Sequence, residues 1–206
     1  MGRISDLFAH NPNSTPLTPE QRRQLRLTWI TTQSQLNAEE QRNIAAADRW
    51  AFGRVRREIL TIGFIKTLHK RMFGDVWKWA GVWRRVNVSF GTRERAGSHP
   101  GQIEVDVYSL LGDVQYWIAQ TPRTYPDDEI AVRLHHRLTQ IHCFANGNGR
   151  HARLTADLLI TQLGGHRFTW GRANLREEGV AQQNYMIALR AADDHDLDPL
   201  VAFARS

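Results

Sequence analysis

The segment from His142 to Arg153 combines residue types that suit phosphate chemistry. It reads HCFANGNGRHAR, with one imidazole at its start, a Gly-Asn-Gly turn and two arginines three residues apart. Gly147 and Gly149 can take backbone angles that other residues resist, so successive N–H groups can face inward and bind an anion. A histidine beside such a turn can accept a proton from a hydroxyl that attacks the bound phosphate, which contributes roughly 10²–10⁴-fold in rate.

The elements on either side of the turn must position these groups. Residues 150–160 carry apolar side chains at helical spacing, so the turn opens a helix, and a helix N-terminus favours negative charge. Arg150 and Arg153 project from the first helical turn towards one side, and the planar guanidinium group suits phosphate oxygens. Residues 130–141 predict a preceding helix, which places His142 at its C-terminal end, next to the anion site.

The segment resembles the signature of the Fic (Fido) family, His-x-Phe-x-Asp/Glu-Gly-Asn-Gly-Arg-x-x-Arg. Seven positions match this signature: His142, Phe144, Gly147, Asn148, Gly149, Arg150 and Arg153. The chain looks closest to the bacterial subfamily called mobile mystery protein B, through residues 39–44, 73–81 and 168–171. The resemblance covers nearly the whole chain.

The resemblance implies a protein adenylyltransferase, which transfers AMP from ATP to a Ser, Thr or Tyr hydroxyl of a target protein. His142 would be the general base, and the Gly147–Gly149 turn with its central asparagine would hold the α- and β-phosphates. Arg150 and Arg153 would neutralise the transferring group and the leaving pyrophosphate. Phe144 would be a buried anchor of the loop. Mg²⁺ or Mn²⁺ would accompany the ATP.

One departure from the signature concerns the metal. Asn146 stands where the family has an acidic residue that binds Mg²⁺, and an amide oxygen is a weaker ligand than a carboxylate. Metal binding could therefore rest on the nucleotide phosphates and water, with Asn146 beside them. Two alternatives stay open: transfer of another group (UMP, GMP, phosphate or phosphocholine), or a nucleotide-binding regulatory module with weak or no turnover.

Two other interpretations of the polar residues fail. Cys143 follows the candidate base, where proline is common in the family, but the surrounding groups suit phosphate chemistry and not thiol-based acyl transfer. His135 and His142 share a helix face with two turns between them, too far apart for one ion. No cysteine or acidic residue completes a metal-binding set with them and His136.

Composition limits the class of protein. The chain has 206 residues, one cysteine and a formal net charge of +6, and no stretch of apolar residues is long enough to span a membrane. A single cysteine and the lack of an apolar leader predict a cytoplasmic protein. The basic residues are scattered, so we do not expect direct binding of nucleic acid; a helix-turn-helix partner fits that task better.

The helical periodicity predicts an all-α fold, a Fic-type helical bundle with a small β-hairpin flap near the active site. We expect a flexible arm over residues 1–17, N-terminal helices over 18–58, and a Fic/Fido domain over 59–206. Helix starts are predicted at residues 18–21 and 37–40, and further helices over 61–72, 102–119, 127–142 and, as a closing pair, 185–200.

The flap is predicted from residues 84–90, which alternate as a strand does and are followed by a turn rich in Gly, Arg and Glu. In the family this element lies over the site and clamps an extended segment of the target by strand addition. The target protein would therefore dock at about residues 84–100. We expect the nearby tryptophans, Trp77, Trp79 and Trp83, to belong to the core.

Self-inhibition is a further theme of the family. Many members carry Ser/Thr-x-x-x-Glu-Gly/Asn, whose glutamate pairs with the second motif arginine. Residues 32–37 have this frame with Leu36 in place of the glutamate. Glu39 or Glu40 could reach Arg153, but we expect both on a solvated helix face. Autoinhibition stays open, and an antitoxin-like partner would serve the same end.

Overall fold

The computed structural model describes residues 23–30, 33–53, 58–90, 95–171 and 178–206. The predicted arm over 1–17 and the helix start at 18–21 lie outside these ranges, as do residues 91–94 at the tip of the predicted flap.

Seven α-helices occupy most of the described residues. They are α1 (Gln33–Ala51), α2 (Ile62–Phe73), α3 (Ile103–Ala119), α4 (Asp127–Ile141), α5 (Asn148–Gln162), α6 (Glu178–Asp193) and α7 (Asp198–Arg205). Two short antiparallel strands, β1 (Ser89–Phe90) and β2 (Arg95–Ala96), pair Ser89 with Ala96 and Phe90 with Arg95. A 3₁₀ turn, Pro100–Gln102, leads into α3. The prediction of a mainly helical fold is confirmed.

The core is centred on α4 and α5, the two helices that the candidate motif joins. Each is buried along most of its length, and α5 is buried on nearly every face from Leu154 to Ile160. Three acidic residues in the first turn of α4, Asp127, Asp128 and Glu129, suit the positive end of that helix dipole. The loop between two such helices is therefore held rigidly at both of its ends.

The N-terminal helices pack beside this centre. Thr61 caps α2, because its hydroxyl accepts the Phe64 N–H at 3.1 Å. The adjoining Trp77 is fully buried, and Trp79 and Trp83 are partly buried against the core, as predicted. None of the helices that the structure describes has the length and apolar character needed to cross a lipid bilayer.

Two predicted boundaries were wrong. Helix α1 begins at Gln33 and not near Asn37, because its buried face already starts at Leu36. The strand is shorter than residues 84–90: only Ser89–Phe90 pairs, since the Arg84 side chain turns inward and bonds to loop carbonyls.

Candidate active site

His142 ends α4 in the left-handed conformation, with φ 54° and ψ 59°. Its backbone N–H still donates to the Leu138 carbonyl at 3.1 Å, so the helix is closed before the chain turns. A positive φ is uncommon outside glycine, although histidine adopts it more readily than most residues. The predicted position of the candidate base, at the C-terminal end of the helix, is confirmed.

The turn that follows depends on Gly147. This residue has φ 76°, and an added Cβ would lie 2.5 Å from the Phe73 ring, so both backbone conformation and space require glycine. Gly149, by contrast, lies within α5 and does not use the conformational freedom predicted for it. Helix α5 begins at Asn148 without a hydrogen bond from a capping side chain, so its first-turn N–H groups remain available to an anion.

Three motif side chains hold the loop in shape. The Asn148 amide pairs with the backbone of Phe144: its Oδ1 accepts the Phe144 N–H at 2.9 Å, and its Nδ2 donates to the Phe144 carbonyl at 2.8 Å. Phe144 is fully buried. Asn146 Oδ1 accepts the Gly147 N–H at 2.6 Å. Asn148 can therefore offer a ligand its backbone N–H, since its side chain is engaged within the loop.

A buried imidazole from α2 supports the same loop. His69 Nδ1 accepts the Gly81 N–H at 2.9 Å, which leaves the ring proton on Nε2 to donate to the Asn146 carbonyl at 3.0 Å. The His69 ring stacks on Phe144 with centroids 3.6 Å apart. Burial lowers its pKa well below the usual value, and the nearby His151 adds to this. Sequence reasoning missed His69, which looked like one more position on an amphipathic helix.

Arg84 ties the strand pair to the start of the motif. Its guanidinium, in a residue only 4% exposed, donates to the carbonyls of His142 at 2.6 Å, Val86 at 2.8 Å, Ile141 at 3.2 Å and Ser98. Its own N–H donates to the Cys143 carbonyl at 3.0 Å. An added Cβ at Gly97 would lie 2.6 Å from this guanidinium. Arg84 thus joins both legs of the strand pair to the backbone of the candidate base.

The two motif arginines contact different helices. Arg150 lies over the Phe73 ring of α2 at 4.7 Å and pairs with Glu40 of α1 at 2.5 Å. Glu40 is buried and also accepts the Trp77 indole N–H at 2.7 Å. The expectation that Glu40 lies on a solvated face was wrong, because both of its oxygens bind partners inside the fold. It pairs with the first motif arginine, whereas the inhibitory pattern of the family concerns the second.

Arg153 faces the opposite partner, helix α6. Its guanidinium lies 5.3 Å from the Tyr185 ring centroid, and the Tyr185 hydroxyl is 3.0 Å from Nε2 of the buried His135. The same hydroxyl is the nearest atom to an added Cβ at Gly149, at 3.7 Å. Helix α6 therefore closes one side of the candidate anion site at the N-terminus of α5.

The pKa values of the two residues at the start of the loop, His142 and Cys143, are shifted in opposite directions. Burial, with a further contribution from the Arg84 charge, lowers the pKa of His142 to about 4. The imidazole is therefore neutral at physiological pH and able to accept a proton. Burial raises the pKa of Cys143 to about 12, which keeps its thiol protonated and agrees with the rejection of a thiol nucleophile.

The residues of this loop do not form a protein-held metal site. Asn146 supplies one amide oxygen, and that oxygen already accepts a backbone N–H. Within the described ranges, no group of three or more His, Cys, Asp or Glu residues could hold an ion. A divalent cation at this place would depend on phosphate oxygens and water.

The buried histidines predict acid sensitivity. His151 is 2% exposed, and burial lowers its pKa from 6.5 to about 4. Below about pH 6.5 the His151 ring binds a proton in the unfolded chain but not in the folded chain. The free energy of unfolding is therefore unaffected by this ring above pH 6.5 and decreases as the pH falls towards 4. The pKa difference corresponds to roughly 3 kcal/mol.

We expect His151→Gln to flatten the pH dependence of the free energy of unfolding between pH 7 and 4.5, whatever its effect at pH 7. The measurement is urea denaturation across this range. His166→Gln, at an exposed histidine, serves as the control and should keep the wild-type slope. An unchanged slope in the His151 variant would contradict the prediction.

Comparison with known proteins gives a consistent result. A family model described as Fic/DOC family matches residues 59–160. A protein adenylyltransferase Fic of Aedes aegypti is 25% identical over 150 residues, covering 72% of this chain and 28% of that protein. Its counterpart in Drosophila grimshawi is 28% identical over 152 residues, covering 72% and 29%. The chain thus spans less than a third of the length of these curated relatives.

Solved structures share the fold. The N-terminal Fic domain of an effector protein of Bartonella sp. AR 15-3 superposes with a TM-score of 0.68 at 16% identity, covering 98% of this chain and 90% of that chain. The BepC protein of Bartonella tribocorum, solved with bound AMPPNP, gives a TM-score of 0.64 at 15% identity, covering 99% and 96%.

Proposed function

Residues 59–160 belong to the Fic/DOC family, and from this membership we propose that the chain transfers AMP from ATP to a Ser, Thr or Tyr hydroxyl of a protein. The curated relatives named as protein adenylyltransferases support the reaction class. The observation that carries the proposal is the neutral imidazole of His142, which ends one helix next to the uncapped N-terminus of another.

The reaction is an in-line displacement at the α-phosphorus. The target hydroxyl oxygen forms the new P–O bond, its proton passes to the neutral His142 ring, and the bond to the β-phosphate oxygen breaks, so that pyrophosphate leaves. The first-turn N–H groups of α5, at Asn148 and Gly149, stabilise the phosphate oxygens. Arg150 and Arg153 flank the end of this helix on two sides and balance the charge of the leaving group.

Further parts of the proposal concern partners and setting. The target would pair an extended segment with the strand pair, and the chain would act in the cytoplasm. Within the family, the resemblance of residues 39–44 and 73–81 favours the mobile mystery protein B subfamily. These two segments contact each other: Asn43 Oδ1 accepts the Asp75 N–H at 3.1 Å, and Glu40 accepts the Trp77 indole. An antitoxin-like or helix-turn-helix partner remains part of the proposal.

Incubation of the purified chain with α-³²P-ATP and Mg²⁺ or Mn²⁺, alone and with a bacterial lysate, tests the proposed function. Label that appears on protein, and is lost when His142 is replaced by alanine, is the expected result. Competition with unlabelled UTP, GTP and CTP checks the donor. AMP transfer with His142 as base would be contradicted by either of two results. One is labelling that unlabelled UTP, GTP or CTP suppresses more strongly than unlabelled ATP does; the other is labelling that persists in the alanine variant.

Asn146 favours a second candidate, a nucleotide-binding module with reduced turnover. Mg²⁺ binds a carboxylate better than an amide. We therefore expect Asn146→Asp to raise Mg²⁺-dependent labelling by about tenfold or more, which is equivalent to roughly 1.4 kcal/mol in the barrier. The measurement is the initial rate of labelling at several Mg²⁺ concentrations.

Asn146→Gln, which keeps an amide, is the control and should not raise the rate. If neither Asn146→Asp nor the natural chain labels any protein, while calorimetry still detects ATP binding, the chain is a nucleotide-binding regulatory module and not a transferase. An equal rate in the aspartate variant and the natural chain would show that Asn146 does not limit turnover.

A further inference from the structure

A groove of about 410 Å³ opens at the base of the strand pair. It is lined by Lys66 of α2, by residues 82–85, and by Pro100 and Gly101 at the start of the 3₁₀ turn. Residues 82–85 precede β1 and Pro100 follows β2, so the groove lies between the two legs of the strand pair and α2. None of its side chains belongs to the motif from His142 to Arg153.

Three basic residues line the groove beside an aromatic ring; the Arg84 guanidinium is bound to backbone carbonyls, and Lys66 and Arg85 can offer their charges to a ligand. The Lys66 ammonium lies 5.0 Å from the Trp83 ring centroid, and Arg85 is exposed. In the described part of the chain, neither cation has a carboxylate partner. Glu104, a carboxylate beside the groove, accepts the Trp83 indole N–H at 2.9 Å, and this bond orients the indole. The carboxylate keeps its negative charge, but the lining itself contains basic residues and no acidic one.

Apolar surface surrounds the charges. Val82 is 49% exposed and Val86 is 57% exposed, one on each side of the Trp83–Arg85 segment. A positively charged surface attracts a negatively charged partner, and exposed aliphatic side chains add apolar area that a bound protein segment can bury.

We propose that this groove binds an acidic segment of the protein substrate, next to the stretch that pairs with the strands. The proposal rests on the proposed function only for the identity of its occupant as the substrate. Arg85 precedes Ser89 of β1 by four residues, which can span at most about 13 Å. Acidic residues of the bound segment therefore lie within about four residues of the position that pairs with Ser89.

The packing of Trp83 disfavours a nucleic acid in this groove. Single-stranded nucleic acid binds basic grooves by stacking bases on exposed aromatic faces. The Trp83 ring packs against Phe144 with centroids 4.9 Å apart, and Lys66 lies over it as well. The ring is therefore occupied by the protein itself, and what the groove presents is positive charge and aliphatic surface.

Fluorescence anisotropy with two labelled probe peptides tests the proposal in the absence of nucleotide. One peptide alternates glutamate with valine and glycine, and the other has glutamine at each glutamate position. We expect the full chain to bind the acidic peptide at low ionic strength, with an affinity that falls as salt is added. K66E/R85E should weaken this binding at least about tenfold, because like charges then face each other.

The control is R42E/R137E, which reverses two exposed cations outside the groove and changes the net charge equally. It should bind the acidic peptide as the natural chain does. Equal losses in both double variants, or equal binding of the two peptides, would overturn the proposal. Preferential, groove-dependent binding of an oligothymidylate would replace the acidic peptide with nucleic acid.

The single variant R85E and the absence of ATP make the peptide-binding result easier to interpret. R85E alone changes an exposed side chain, so it reports on the groove even if the Lys66 substitution disturbs folding. Because no ATP is present, the absence of AMP transfer would not affect the peptide measurement. Conversely, labelling that survives while the acidic peptide fails to bind would refute the groove and leave the proposed function intact.

Discussion

Replacement of His142 by alanine is expected to lower the rate of AMP transfer by roughly 10²–10⁴-fold, the usual contribution of a general base. The neutral ring of His142, six residues before the start of α5, is the group that we propose accepts the proton of the attacking hydroxyl. Affinity for ATP should change little, since the proposed phosphate contacts come from the α5 N–H groups and the arginines. The measurements are single-turnover labelling and calorimetric titration with ATP.

A comparison of variants separates proton transfer by His142 from a structural role of this residue. His142 has a positive φ, which alanine adopts less readily, so the His142→Asn variant is the better structural match. Both variants should show the same loss of transfer, and the melting temperature of the asparagine variant should stay near that of the natural chain. His166→Ala, at an exposed histidine, should transfer AMP normally. Transfer at the natural rate in the asparagine variant would exclude His142 as the base.

Replacement of Arg84 by methionine should destabilise the fold by about 3–5 kcal/mol, because a buried network loses its only charged donor group. Four carbonyls lose a donor, those of Val86, Ser98, Ile141 and His142, although the Ile141 carbonyl still accepts the Ser98 N–H at 3.1 Å. Buried acceptors without a donor each cost about 1–3 kcal/mol, although relaxation of the strand pair recovers part of this. Urea denaturation measures the loss.

The same substitution should also reduce transfer by about a hundredfold in the molecules that remain folded, since a displacement of about 1 Å at the base is enough for that effect. Arg84→Lys keeps the positive charge but can form fewer hydrogen bonds, so the losses of stability and of transfer rate should both be intermediate. Arg85→Met removes an exposed arginine at the next position and should change stability by no more than about 0.5 kcal/mol. Equal stability losses at positions 84 and 85 would contradict the network.

Local features of the sequence were sufficient to predict much of this molecule. The helical periodicity predicted α2 to α5 within a residue or two of their ends, because each helix has a continuous buried face. The order of residues in the motif predicted a histidine at a helix end and a glycine turn that opens the next helix. These depend on backbone conformation over a few consecutive residues, and residue type controls that directly.

Residues that act across the chain could not be predicted in this way. Glu40 pairs with Arg150, which is 110 positions away in the sequence, and His69 bonds to the Asn146 carbonyl, which is 77 positions away. Arg84 fitted the alternation of a strand, yet its side chain points inward. Nothing in the local sequence separates a buried glutamate or arginine from an exposed one, because the carbonyls and counter-charges that justify its burial come from other helices.

The sequence by itself therefore determined on which helix ends the residues of the proposed chemistry lie. Only the tertiary structure decided how those groups are held. Arg84 connects the strand pair to His142, Glu40 and Tyr185 bring their helices to the two motif arginines, and the Lys66–Arg85 groove forms where three separate segments meet. The physical reason is that burial and charge pairing depend on which distant segments pack together, whereas helix ends and turns depend on neighbouring residues.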